Sequence, residues 1–311
     1  MAEDDNQMKS KRDHISVCIC TYRRPNLLEH LLSILQDQET GELFSYSIVV
    51  VDNDRAHSAM ETVDAFKETS PLEVEYYNVP EQNISMARNK AVESANGNFV
   101  AFIDDDEFPA NNWLLNMYET LNNNNASGVL GPVKPHFEVA PPQWIIRGNL
   151  CERDAFDTGT VLRNHIYTRT GNVLFAKQIF NEGDSQFNPI YGRTGGEDVD
   201  FFKRMIERGH VFVWCNEATV FETVPPERLT RGYFLKRALM RGVVNSKNAS
   251  FISFDILKSI VAFILYTMTL PLLLLIGHHL FMRYLIKDCD HIGKLLGLCG
   301  LELVKDRGFA V

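Results

Sequence analysis

The first half of the chain alternates between two hydrophobic periods, and this alternation constrains the fold more than any other feature of the sequence. Short apolar runs of the kind that form buried strands occur at residues 15–20, 45–51, 72–77, 98–103 and 128–133. Segments with helical spacing of apolar residues lie between them, at residues 25–38, 58–70, 83–95 and 110–124. Strands that alternate with helices are typical of βαβ units. The sequence therefore predicts an α/β fold in which a mainly parallel sheet carries helices on both faces.

The pattern is less regular after residue 133. Proline and glycine are scattered through residues 134–195, where we expect loops and short strands. A further helix is predicted over residues 197–210, and a strand at 211–215. The apolar face of that helix is expected to consist of Val199, Phe202, Met205 and Ile206.

Acidic side chains follow two of the predicted strands directly. The fourth strand is followed by Asp104, Asp105, Asp106 and Glu107, and the second by Asp52 and Asp54. Ligands of parallel sheets bind beyond the carboxyl ends of the strands. A cluster of carboxylates there suits Mg²⁺ or Mn²⁺, which would offset the repulsion and act as a Lewis acid for a leaving diphosphate. The alternative is an acidic turn before the helix that starts near Ala110, and for Asp54 we expect helix capping rather than ligand binding.

Three other polar groups are predicted at the same edge of the sheet. The first strand ends in Thr21, Tyr22, Arg23 and Arg24. The helix before the fourth strand carries Arg88 and Asn89, and a helix start behind two glycines carries Glu197 and Asp198. Because the ends of the first, second and fourth strands converge on one edge, the sequence predicts a shared cleft.

With these motifs in this order, residues 14–245 resemble the family 2 glycosyltransferases, which have the GT-A fold. The resemblance is carried by the segments TYRRP, VVVDND, ARNKA, FIDDDE and GGEDVDF. The later segment FETVPPERLTRGYFLKRALMRG is similar to bacterial exopolysaccharide glucosyltransferases of succinoglycan type. This resemblance implies a metal-dependent enzyme that transfers a sugar from a UDP-sugar with inversion at the anomeric carbon. Glucose is the sugar that the resemblance favours. UDP-galactose, a UDP-N-acetylhexosamine or a GDP-sugar would fit the same framework.

The resemblance also implies a role for each motif residue. Asp106 is expected to bind Mn²⁺ or Mg²⁺, and Glu222 is a candidate further ligand because no histidine lies near it in the sequence. Asp198 is expected to be the catalytic base, with Glu197 hydrogen-bonded to acceptor hydroxyls. Asp52 would accept the N–H of uracil. The complete set expected to bind the nucleotide sugar is Thr21, Tyr22, Arg24, Asp52, Arg88, Asn89, Asp104 and Asp105.

Composition narrows the choice of partners and compartment. The chain has 31 Lys and Arg against 40 Asp and Glu, a net charge of −9, which argues against nucleic acid as a partner. Its six cysteines form no CxxC pair, so we expect reduced thiols in the cytosol. The first fourteen residues are polar and do not have the pattern of a secretory signal. We expect a disordered tail over residues 1–13, a catalytic domain over 14–250 and a membrane-associated segment over 251–311.

The last of these segments contains a long apolar stretch. Residues 259–277 carry no charge over nineteen positions, which is long enough to cross a bilayer core. Seven basic residues lie between positions 228 and 258, and this asymmetry predicts a catalytic domain at the cytoplasmic face of the bacterial inner membrane. A single span and a re-entrant hairpin both fit the pattern. Together with the resemblance, the apolar tail implies an acceptor saccharide linked to polyprenyl diphosphate.

Two further patterns bear on function. The sequence lacks the QxxRW motif of processive synthases of this family, which indicates one sugar added per acceptor. Arg228, Arg231 and Arg241 would either clamp a diphosphate or rest on anionic lipid. A sugar nucleotidyltransferase is disfavoured because the first strand is followed by TYRRP rather than by a glycine-rich phosphate loop. A catalytically idle membrane scaffold of the same fold is the alternative from another functional class.

Overall fold

The computed structural model describes residues 12–246 and 254–300, which fall into two compact units. The first unit comprises the chain up to residue 133 together with residues 154–192 and 196–222, and the remaining residues form the second. Residues 1–11 of the predicted tail lie outside the described residues, and β1 begins at Asp13. The predicted boundary between residues 250 and 251 lies outside them as well, as do the last eleven residues of the chain.

The strands and helices alternate as the sequence predicts. The strands are β1 (Asp13–Thr21), β2 (Phe44–Asp52), β3 (Val74–Asn78), β4 (Phe99–Ile103), β5 (Glu107–Pro109), β6 (Gly128–Leu130), β7 (Val133–Phe137), β8 (Asn172–Ala176), β9 (Phe212–Trp214) and β10 (Val220–Val224). The helices are α1 (Pro25–Leu35), α2 (Met60–Thr69), α3 (Ile84–Ser94), α4 (Trp113–Asn123), α5 (Gln143–Gly148), α6 (Glu197–Glu207), α7 (Arg231–Ser246), α8 (Phe254–Ile276) and α9 (His278–Leu298).

The first unit is built on a seven-stranded sheet with the order β3-β2-β1-β4-β8-β6-β9. Every neighbouring pair is parallel except those made by β8, which runs antiparallel to both β4 and β6. The register pairs Thr21 with Asp52 and Asp52 with Asn78, so β1, β2 and β3 end level with one another. The prediction of a mainly parallel α/β sheet is confirmed, and the strand ends meet at one edge.

Both faces of this sheet are buried, as the continuous apolar strands predict. Residues 15, 17 and 19 of β1 pack into a core that includes the leucines of α1 and Trp113 of α4. Cys18 of the same strand points into a second core rich in phenylalanine, where Phe201 and Phe202 of α6 pack against Phe175 of β8 with ring centroids 5.7 Å apart. The predicted apolar face of α6 needs one correction, because Val199 is 40% exposed.

Glycines allow α7 and α9 of the second unit to pack closely. A Cβ atom at Gly242 would overlap the backbone of Asp290, and one at Gly293 would overlap the backbone of Leu239. Gly293 and Gly297 form a small-xxx-small motif, which is typical of helices whose backbones touch. Arg241 of α7 makes a bidentate ion pair with Asp290 beside this contact. Small residues and one ion pair therefore hold the two helices together.

The preceding helix, α8, is the most apolar element of the second unit. Its residues 256–276 have a mean hydropathy of 2.3, and only 6% of the most apolar window is buried. This helix is long enough and apolar enough to cross a membrane. No other helix within residues 12–246 and 254–300 meets both conditions. It contacts α9 through Thr267, whose hydroxyl donates to Asp288 Oδ2 at 3.1 Å, and through the rings of Tyr266 and Tyr284.

We predict that Gly293→Leu destabilises the second unit, because the added side chain would force α9 away from α7. Overpacking of this kind costs about 1–3 kcal/mol. Thermal unfolding of the full chain in detergent, followed by circular dichroism, measures the effect. Gly232→Leu in α7 is the matched control, since a Cβ atom there has no neighbour within 4 Å. Equal losses of stability in the two variants would show that the close helix contact is not required.

Candidate active site

Strand β4 ends in a tight acidic turn, residues 104–107, that leads into β5. The backbone N–H of Glu107 donates to the Asp104 carbonyl at 3.1 Å, and Glu107 Oε2 accepts from the Asp104 N–H at 3.3 Å. Gly171 lies against this turn, where a Cβ atom would be 2.8 Å from Glu107 Oε1 and 2.9 Å from Asp104 Oδ2. A side chain at position 171 would push these two carboxylates aside, and sequence reasoning missed this close approach.

Two side chains at the end of β1 and just after it, Thr21 and Arg24, bind the middle of the acidic turn. Thr21 Oγ1 donates to Asp105 Oδ2 at 2.8 Å. Arg24 Nη1 contacts Asp105 Oδ1 at 3.0 Å and Asp106 Oδ2 at 3.2 Å. Burial raises the pKa of Asp105 to about 6, although the positive charge of Arg24 acts in the opposite direction. Arg24 thus offsets part of the repulsion between neighbouring carboxylates.

Arg88 connects the acidic turn to the start of α6. This side chain of α3 is buried, and its Nη1 makes a short ion pair with Glu197 Oε1. Its Nη2 lies 3.7 Å from Asp104 Oδ1. Burial disfavours the charged guanidinium, but the charges of Glu197 and Asp104 outweigh this effect and raise the pKa of Arg88. One buried cation therefore joins two acidic motifs that are far apart in the sequence.

The first turn of α6 carries the two acids predicted at its start. Gly195 and Gly196 precede it with φ of 77° and 100°, a left-handed conformation that favours glycine. Burial raises the pKa of Glu197, while Arg88 opposes that shift. Glu197 Oε2 is buried and accepts no hydrogen bond within the described part of the chain. Asp198 is partly exposed, and its Oδ1 accepts from the N–H of Val199 at 2.8 Å.

Asn89 and Asn83 tie the loop before α6 to helix α3. The Asn89 amide makes a reciprocal pair with the backbone of Phe187, donating to its carbonyl and accepting from its N–H, both at 2.8 Å. Asn83 caps α3 by accepting from the Met86 N–H at 3.1 Å, and it donates to the Pro189 carbonyl at 3.0 Å. Sequence reasoning missed Asn83, although Asn directly before a predicted helix is a capping signal.

Asp52 is fully buried at the end of β2, and three protein donors bind its carboxylate. Oδ1 accepts from the N–H of Asp54 at 2.9 Å, while Oδ2 accepts from the N–H of Ala59 at 2.8 Å and from the hydroxyl of Tyr76 at 3.1 Å. Burial and the charge of Asp52 both raise the pKa of Tyr76, which keeps its hydroxyl protonated. Asp52 thereby closes the loop between β2 and α2.

The predicted capping role of Asp54 is wrong. Helix α2 begins at Met60, six residues further on, and the residue before it is Ala59, with no side-chain cap. Asp54 Oδ1 instead pairs with Arg23 Nε at 3.2 Å. Asn53 between the two acids was not singled out, yet its amide group donates to the Val79 carbonyl and accepts from the Asn83 N–H.

The structure brings most of the predicted residues into one network. The acidic turn directly contacts Thr21, Arg24 and Arg88, and Glu197 joins the network through its ion pair with Arg88. Asp198 joins this network through the charge of Arg88. The Cα atoms of Glu222 in β10 and Glu107 in β5 are partners in an antiparallel pair, so Glu222 lies beside the turn. Tyr22 packs its ring against the guanidinium of Arg23 at 5.0 Å, and Asp52 lies in its own hydrogen-bonded loop.

The donor chemistry of the acidic turn suits a hard divalent cation. Across residues 12–246 and 254–300, no group of three or more His, Cys, Asp or Glu side chains is arranged to hold a metal ion. Mg²⁺ needs fewer, because it is usually bound by one or two carboxylates together with substrate phosphates and water. Asp106, which follows the sheet edge and lies in the turn, fits this mode of binding.

Comparisons with known proteins agree with this geometry. The sequence model of the family described as "Glycosyl transferase family 2" matches residues 16–185. The chain is 32% identical to the succinoglycan biosynthesis protein ExoM of Rhizobium meliloti, over 77% of this chain and 76% of that protein. It is similar to S. aureus TarS in complex with UDP, with 16% identity, a TM-score of 0.54 and coverage of 94% and 93%.

A second solved structure is the mannosyltransferase PcManGT from Pyrobaculum calidifontis in complex with GDP-Man and Mn²⁺. Here the identity is 17% and the TM-score 0.57, over 93% of this chain and 73% of that one. At these identities the two structures bear on the fold alone, and they confirm the predicted GT-A class.

We predict that Arg88→Met strongly destabilises the first unit, because it leaves Glu197 buried without its counter-charge. Breaking one partner of a buried ion pair costs about 3–5 kcal/mol. Urea unfolding of the full chain measures this loss, and Arg208→Met is the control. Arg208 pairs with the exposed Asp184, so its loss is expected to cost less than about 1 kcal/mol.

The double variant Arg88→Met, Glu197→Met tests the same ion pair. Removing both charges eliminates the unpaired carboxylate, so the double variant is expected to be more stable than Arg88→Met alone. Additive losses would contradict the direct coupling between the two side chains.

Proposed function

This chain belongs to glycosyl transferase family 2, and we propose that it transfers a sugar from a UDP-sugar to a lipid-linked saccharide acceptor in polysaccharide biosynthesis. The observation that carries this proposal is the pairing of Arg24 and Arg88 with the acidic turn, which joins the end of β1, the end of β4 and the start of α6 in one site. The name of the R. meliloti relative supports a role in building a polysaccharide. The name of the TarS complex supports UDP as the nucleotide.

The donor would bind along the level ends of the parallel strands. We assign Thr21, Arg24, Asp104 and Asp105 to the ribose, diphosphate and sugar side of this edge, with Tyr22, Arg88 and Asn89 shaping the pocket. These residues come from the motifs that carry the family resemblance, and glucose is the sugar which that resemblance implies. Direct contact of Asp52 with uracil would require one of its three protein donors to give way. Asp52 also acts on the pocket by fixing the loop after β2.

A divalent cation would be held by Asp106, with Glu222 as the candidate further protein ligand. The strand pairing of Glu222 with Glu107 supports this choice. When bound, Mn²⁺ or Mg²⁺ neutralises charge on the leaving diphosphate. Arg24, whose Nη1 lies 3.2 Å from Asp106 Oδ2, would add a second positive charge beside the diphosphate. The name of the mannosyltransferase complex, with Mn²⁺, is consistent with this cofactor.

Asp198 would act as the general base. The acceptor hydroxyl attacks the anomeric carbon and gives its proton to the Asp198 carboxylate, while the bond to the diphosphate oxygen breaks and UDP leaves. Glu197 would orient the acceptor, and its unpartnered Oε2 would accept a hydrogen bond from a bound hydroxyl. Burial raises the pKa of the Cys20 thiol to about 12, so this cysteine is not available as a nucleophile. A single displacement therefore inverts the anomeric configuration.

Helix α8 would be the element that contacts the membrane. Its apolar window and its low burial support an interaction with lipid, and the basic residues that precede it in the sequence favour the cytoplasmic side. A catalytic unit placed there suits an acceptor whose carrier lipid stays in the inner leaflet of the bacterial inner membrane.

We predict that Asp106→Ala removes the Mn²⁺-dependent part of UDP binding. Isothermal titration of the full chain with UDP, with and without Mn²⁺, is expected to show about a 10–100-fold loss of affinity in the presence of the ion. Asp184→Ala removes an exposed carboxylate from the same unit and is expected to bind UDP normally. If Asp106→Ala keeps its Mn²⁺-dependent affinity, the ion is bound elsewhere.

We predict that Asp198→Asn abolishes transfer while leaving donor binding intact. General-base catalysis contributes about 10²–10⁴-fold, so release of UDP from UDP-sugars should fall by that factor while the affinity for UDP stays unchanged. A panel of UDP-glucose, UDP-galactose, UDP-N-acetylglucosamine and GDP-mannose, read by released nucleotide, identifies the donor. Turnover that persists in Asp198→Asn would exclude it as the base. A wild-type chain that binds UDP but turns over no donor would support the idle scaffold instead.

A further inference from the structure

Helices α7, α8 and α9 of the second unit enclose a basic cavity of about 320 Å³. One face of α9 supplies Lys287, Asp290, His291 and Lys294, which lie at helical spacings of three and four residues. Arg241 of α7 and Tyr266 of α8 also line the cavity. None of these residues belongs to the network around the acidic turn.

The charge of this cavity is positive. Asp290 is the only carboxylate among the residues that line the cavity, and Arg241 holds it in a bidentate ion pair. Lys287 and Lys294 add two further positive charges, and His291 adds a ring nitrogen that can donate a hydrogen bond. Several cationic donors around a small cavity are suited to the oxygens of a phosphate group.

A mainly apolar groove on α8 adjoins this cavity at Tyr266, which lines both. The groove is otherwise lined by Leu257, Val261, Ala262 and Leu265, with Lys258 as its one charged residue. The side chains of Leu257, Val261 and Leu265 are each about half exposed. The groove lies on the same helix that is long and apolar enough to cross a membrane. A single molecule that fills both parts needs an anionic head and a hydrocarbon chain.

We propose that this cavity and groove bind a membrane lipid with a phosphate headgroup, with the phosphate among Arg241, Lys287 and Lys294 and the chain along α8. Charge complementarity selects the headgroup, and the exposed apolar face selects a lipid over a soluble phosphate. The proposal goes beyond the transfer reaction and uses none of its residues. The occupant we assign is a bilayer phospholipid; a polyprenyl carrier phosphate shares its headgroup chemistry, and tighter binding of that probe would assign the site to the acceptor lipid instead and overturn the proposal.

Native mass spectrometry of the full chain in neutral detergent tests the proposal. Polyprenyl phosphate and phosphatidic acid are each added as the probe, with phosphatidylcholine as the neutral comparison. Each lysine near an anionic lipid contributes about a fivefold factor in affinity, so Lys287→Gln, Lys294→Gln should raise the Kd for either probe at least about tenfold. The double control Lys236→Gln, Arg237→Gln removes two charges from exposed positions of α7 outside the cavity, and it should change the Kd less than about twofold.

The outcomes distinguish a specific lipid site from a non-specific attraction to basic residues. They also distinguish a failure of this proposal from a failure of the proposed transfer reaction. Equal weakening in the two double variants would overturn the proposal, since it would show a general attraction of the basic surface. Displacement of the lipid by inorganic phosphate at comparable concentration would also overturn it, because the hydrocarbon chain would then contribute nothing. Lipid binding is measured without donor or metal, so it can succeed or fail independently of UDP binding and sugar transfer. Unchanged circular dichroism of each variant shows that the helices remain folded.

Discussion

The arrangement of the site depends on one buried cation. Arg88 lies on α3 and is almost completely shielded from water, where a guanidinium is tolerated only if opposite charges surround it. Its partners are Asp104 at the end of β4 and Glu197 at the start of α6. A shift of α6 would leave Arg88 and Glu197 buried without each other, whereas the longer contact to Asp104 involves a side chain that is 47% exposed. The ion pairs therefore hold the acidic turn and the start of α6 close together, and Asp198, next to Glu197, is positioned by the same constraint.

Much of the fold could be predicted from the sequence, because strands buried on both faces leave continuous apolar runs and the helices between them keep a clear period. The family followed from the resemblance of the motifs, and the convergence of Arg24 and the acidic turn followed from the strand order. Contacts between distant segments could not be predicted in this way. The pairing of Arg88 with Glu197 depends on how the loop after β8 returns to α3. Asp54 was expected to cap a helix, but α2 begins only at Met60, and the sequence does not show how far the loop after β2 extends. Val199 was assigned to an apolar face by periodicity alone, yet it is 40% exposed.

The second unit has both a charged surface, on α9, and an exposed apolar surface, on α8. Glycines in α7 and α9 let the helix backbones touch, so the contact needs few large apolar side chains. Charged residues can then occupy the neighbouring face of α9 without disturbing the packing. Helix α8 meanwhile exposes an apolar face that the protein itself does not cover within the described residues. An exposed apolar face of this size marks a surface for a partner or for lipid.

The reversed strand β8 has a consequence for how this protein is made. It is the bridge between β4 and β6, yet it is synthesised some forty residues after β6. Until residue 176 has left the ribosome, the nascent chain carries two open strand edges that are prone to pair with other chains. Shortened versions of the protein that stop before this point would inherit the same weakness, so a minimal soluble catalytic fragment has to extend at least through β9, where the sheet is complete.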